Sequence, residues 1–118
     1  MHVGALDGHV GIDLTLERFD EAEAAFRQAI QSGDETVPVA AGAFRGSLAL
    51  IRAQQGAFGE ARAPLAQAEP QLRGVHKLEL GKLLCTKAQV EHLAGDSYVA
   101  ASALAEAELI TSELNVTP

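Results

Sequence analysis

The chain has 118 residues, 47% of them apolar, with a formal net charge of −7. Four Phe, one Tyr and no Trp leave the apolar mass to Ala, Leu and Val, and this Ala-rich composition favours helices over sheet. The acidic balance argues against nucleic acid, a lone Cys85 forbids an intramolecular disulfide, and no apolar run approaches membrane-spanning length.

In chain order, a first helix is expected from about Val3 to Leu16. A second starts at Asp20, where Glu23 three residues later completes a capping box, and closes at Ser32-Gly33. The third follows Pro38 and reaches Gln55, with Gly56 suited to the left-handed conformation that ends a helix. The fourth has Gly59 as a poor cap and carries Pro64 and Pro70, so it is expected to end early or kink. Gly74 then breaks the chain. The fifth runs from about Val75 to Ala94, apolar around most of its circumference at Leu80, Leu83, Leu84, Ala88 and Val90, and Gly95 ends it. Asp96 caps the sixth, which extends to Leu114.

These elements repeat. Ala22, Ala61 and Ala100 recur with a period of 39, as do Phe26, Leu65 and Leu104, and Ala29, Ala68 and Ala107. Alanines seven apart with a bulky residue between them fall on one helical stripe. Repeats of this length mark arrays whose units bury a continuous core only when stacked. The expected organisation is one domain over 1–118, with repeats at about 3–33, 37–73 and 75–114.

The segments ERFDEAEAAFRQA, GAFGEARAPLAQA and GDSYVAASALAEA resemble the second half of a tetratricopeptide (TPR) motif, although a period of 39 exceeds the family's usual length of about 34. The resemblance covers almost the whole chain and is specific only in the second helix of each pair. It implies an all-α fold of three antiparallel helix pairs stacked as a right-handed superhelix. Ala22, Ala61 and Ala100 would let paired helices approach closely, and Phe26, Leu65 and Leu104 would fill the space between pairs. An array without an obviously polar closing helix is expected either to belong to a longer one or to cover its end by self-association through the terminal repeats.

The residues offer little chemistry. Cys85 and His92 share a helical face, but two ligands fall short of the four usual in a structural metal site, so a buried thiol beside an exposed His is expected. No phosphate-cradling loop or nucleophile elbow occurs, and Glu106 and Glu108, two apart on a helix, point in different directions. Gly42 and Gly46 read as a close-packing helix face. Arg73, Lys77, Lys82 and Lys87 wind around their helix without nearby aromatics, against nucleic acid. The acids cluster in residues 1–35 and from Glu91 onward, with a basic stretch between; pairs between neighbouring helices are the expected outcome. No enzyme activity, cofactor, metal or membrane contact is expected, and a cytoplasmic localisation is expected. The carboxylate clamp of chaperone-binding TPR domains would fall on Asp7, Gly11, Ser47, Lys82 and Thr86, where only Lys82 has the required charge.

The resemblance places the first helices on a concave surface. Residues sharing a level there make a candidate groove for a peptide or helix: Asp7, Gly46 and Cys85; Gly11, Leu50 and Gln89; Leu14, Ala53 and His92; with Lys82 at one end and Gln54 at the other. Leu50 is its expected anchor, and Arg62, on a second helix, is expected to face water. The expected function is a non-catalytic protein-interaction module; the alternative is an architectural spacer or dimerisation segment of a larger signalling protein.

Overall fold

The computed structural model describes residues 7–116, with side chains placed for residues 18–114. Its helices are α1 (Asp7–Thr36), α2 (Pro38–Gln54), α3 (Phe58–Leu72), α4 (Lys77–Ala94) and α5 (Ser97–Val116), and no strand occurs among the described residues. The all-α class therefore holds. Helices α2 and α4 begin one period apart, and so do α3 and α5.

Among the described residues five helices replace the expected six, because α1 runs unbroken through the position assigned to a turn. The reason lies in one residue. Both α2 and α4 end at a glycine in the left-handed region, Gly56 at φ 81° and Gly95 at φ 89°. The amide of Ala57 donates to the Arg52 carbonyl at 2.9 Å, and that of Asp96 to the Glu91 carbonyl at 2.8 Å, the same closure at both ends. The corresponding residue of α1 is Glu17, for which the left-handed conformation is costly, so the helix continues and Asp20 lies inside it. Gly33 is no break either. A Cβ there would stand 3.1 Å from the Ala41 amide nitrogen, so its bare backbone permits close packing, and α1 stops only before Pro38.

The other helix starts are mixed. Asp96 caps α5 as expected, its Oδ1 accepting from the Val99 amide at 3.1 Å. Helix α3 begins at Phe58 after an Ala57 that offers no side-chain cap, so Gly59 lies inside the first turn. His76 caps α4, its Nδ1 accepting from the Glu79 amide at 3.2 Å.

Helix α3 does not end early, continuing past both prolines to Leu72. Pro64 has no N–H for the carbonyl of Glu60, and that carbonyl instead accepts from Arg52 Nη1 at 3.1 Å. Pro64 itself is buried.

Among the described helices, α1 packs on α2 alone, α2 also meets α3 and α4, and α5 packs on α4 alone. Helices α2 and α4 each meet three others; α4 is covered by α2, α3 and α5, and Leu80, Leu83, Leu84 and Val90 are buried. They join Ala49, Ala53, Ala61, Leu65, Ala68 and Leu72 in one core.

The basic middle is consumed by pairing. Arg45 reaches Asp34, Arg52 reaches Glu23, Arg62 reaches Glu91, Arg73 bridges Glu69 and Glu106, and Lys77 reaches Glu113. Lys82 and Lys87 take Glu79 and Glu69. Arg62 does not simply face water: its guanidinium grips both oxygens of Glu91, at 2.7 and 2.9 Å, and Glu91 is only 5% exposed. That grip raises the Arg62 pKa, through the hydrogen bonds first and the opposite charge second.

Hydrogen bonds from Arg45, then Gln71, hold the Asp34 carboxyl below its ordinary range. A depressed folded pKa gives stability that is complete above the unfolded value and lost as pH falls through the folded one. Asp34→Asn is therefore expected to lower the urea midpoint at neutral pH. That difference should close as pH drops below the depressed value; a gap constant with pH would contradict it.

Candidate functional site

An open groove lies between α4 and α5. It is set by the geometry of the Gly95-Asp96 turn, which folds α5 back on α4 with Asp96 fixing its first turn. From α4 come Cys85, Ala88, Gln89 and His92; from α5 come Ser97, Ala100, Ala101 and Leu104. Together they border an open groove of about 480 Å³. It contains no Asp, Glu, Lys or Arg, and its walls are mostly methyl and methylene groups. Leu104 is 46% exposed at one wall.

The expected groove residues part company here. Cys85, Gln89 and His92 come together along α4 on the rim of the open groove. Cys85 is an exposed thiol, not the buried one expected. Gly46 is buried instead, where a Cβ would stand 3.2 Å from Leu83 Cδ1, so it serves the packing of α4 on α2. Lys82 stands at that same seam, exposed and paired with Glu79 at 3.3 Å. Leu50 is half-buried and Gln54 exposed. Asp7 and Gly11 lie outside the residues whose side chains are described.

The α5 wall departs from the repeat pattern, which puts Ala100 within a pair and Leu104 between pairs, as core positions. Leu65 fits that role, being 5% exposed, and Phe26 is half-buried against Phe44 at 6.0 Å between ring centroids. Leu104 differs because α5 has no described helix on its far side.

A second concavity, about 740 Å³, lies between α1, α2 and α3. Its cations Arg27, Arg45 and Arg52 are already paired, Arg45 with Asp34 and the other two with Glu23. Among the described residues no three His, Cys, Asp or Glu side chains gather as a metal site would need, and no helix is long and apolar enough to cross a membrane.

Comparison of the chain with family models, with curated proteins and with solved structures returns no match.

Proposed function

We propose that this chain is a non-catalytic interaction module whose α4–α5 groove receives a segment of a partner protein. In this reading the helices form a TPR-like right-handed array of period 39, with α1 standing in for a first pair whose turn has been lost. The observation that carries the reading is the open, uncharged groove bordered by Cys85, Gln89, His92 and Leu104. A surface of small and apolar side chains lets a ligand's backbone come close and bury apolar area without desolvating a fixed charge. All the arginines and lysines of residues 36–90 except Lys82, by contrast, pair with an acid on another helix.

The test is selection of ligands from a displayed random-peptide pool on the intact protein. Ligands should be lost both on alkylating Cys85 with a bulky maleimide and on Leu104→Asp, with the helical spectrum intact. Selected peptides that still bind both modified proteins would move the receiving surface elsewhere. A protein that sediments as a dimer dispersed by Leu104→Asp would favour the alternative, a dimerisation segment.

A further inference from the structure

The groove lies where the molecule's own architecture has already seated a helix once. Five of the eight residues that border it have buried counterparts one period earlier on α2 and α3, while the other three counterparts, Leu50, Phe58 and Arg62, are half-buried or exposed. Gly46 corresponds to Cys85, Ala49 to Ala88, Ala53 to His92, Ala61 to Ala100 and Leu65 to Leu104. All five are buried on the α2–α3 side, and none of their counterparts is buried on the α4–α5 side. The groove therefore repeats, 39 residues on, a surface that α4 covers on the α2–α3 side.

The existing interface states what such a helix carries. Three residues of α4, four apart, meet α2 and α3 along one stripe. Leu83 lies over Gly46, Lys87 Nζ stands 3.8 Å from Glu69, and Glu91 is gripped by Arg62. Transferred to the groove, these stations face Cys85, Glu108 and Ala101. Cys85 has a side chain where Gly46 has none, so leucine no longer fits and a shorter apolar residue does. Glu108 is exposed and occupies the station of Glu69, so a base is again called for. Ala101 replaces Arg62, so the acid loses its partner and an apolar residue suits better.

We propose that the α4–α5 groove receives an amphipathic helix from a partner protein, bearing on one stripe a short apolar residue, a basic residue four later and an apolar residue four after that. This rests on the groove being the receiving surface. Helix α5 carries no base, so Glu108 has none on its own helix to meet, which favours a base on the bound one.

The probe is the chain's own α4 as a labelled synthetic peptide, residues 77–95 with Leu83→Val and Cys85→Ser. Its affinity for the full chain is read by fluorescence anisotropy, alongside a version that also carries Glu91→Leu. On the unaltered protein the Glu91→Leu peptide should bind more tightly. The protein variant Ala101→Arg recreates the Arg62–Glu91 pair, so it should tighten the Glu91 peptide about fivefold and not the Glu91→Leu peptide. Ala101→Glu should weaken the Glu91 peptide. Ala101 is exposed, so neither protein variant threatens the fold.

No saturable binding, or an Ala101→Arg effect equal on both peptides, overturns the proposal. If the peptide pool yields ligands sensitive to Leu104→Asp but none has this stripe, the partner's chemistry is wrong and the receiving surface stands. If no ligand is sensitive to Leu104→Asp, both fall. Binding seen only when a dimer is dispersed assigns the groove to a second copy and also overturns the proposal.

Discussion

Leu65→Asp is expected to destabilise the fold by about 3–4 kcal/mol, and Leu104→Asp, the same change one repeat later, by no more than about 1 kcal/mol. Leu65 is 5% exposed and belongs to the core with Leu83 and Leu84 of α4. An aspartate there loses the transfer free energy of the leucine, leaves a gap, and either strands a carboxylate away from water or forces its protonation. Leu104 is 46% exposed, so an aspartate there keeps its hydration and loses only partial packing and some helix propensity. Thermal and urea melts followed by circular dichroism measure both. For a domain of this size, each kcal/mol moves the melting temperature by roughly 4 °C. Equal losses would mean that the α4–α5 groove is covered in solution, and the docking reading would lose its surface.

Much of the fold can be read from residues whose effect is local. Gly56 and Gly95 end helices because glycine alone tolerates the left-handed conformation cheaply, and Asp96 caps because its carboxylate reaches an amide three residues on. The break expected before Asp20 fails by the same logic. A capping box marks a helix start only where something upstream stops the preceding helix, and Glu17 has neither the freedom of glycine nor the ring of proline. Pro64 misleads for a different reason. Its cost depends on whether the stranded Glu60 carbonyl finds another donor, and Arg52 is supplied by a different helix. His76 gives little sign in the sequence that it caps α4, because imidazole is an uncommon cap.

The candidate site is half legible. Spacings of four and three along α4 put Cys85, Gln89 and His92 on one face of that helix. What the sequence withholds is which levels are covered. Gly46 and Cys85 occupy matching stations, yet one lies beneath Leu83 and the other is open, because burial is decided by the neighbouring helix. The pairing of Arg62 with Glu91 is hidden likewise, since it joins residues on helices whose contact is known only from the fold.

That pairing leads to a second large effect. Glu91→Arg should cost about 3 kcal/mol or more, because it puts a bulkier cation into a nearly buried site facing Arg62. Adding Arg62→Glu should then restore most of the loss. The basis is in the same molecule: Glu23 on α1 and Arg52 on α2 occupy the stations of Arg62 on α3 and Glu91 on α4, with the charges exchanged. Both contacts join residues 29 apart in sequence. The two geometries differ in tightness, 3.5 Å for Arg52 to Glu23 against 2.7 Å for Arg62 to Glu91, so recovery should be large but incomplete. Melting of wild type, both single variants and the double variant forms a complete cycle, and its coupling energy isolates the pair from the loss of packing. A double variant as unstable as Glu91→Arg alone would show that the site rejects arginine on steric grounds. The likeness of the two contacts would then be one of position only, with no interchange of charge allowed.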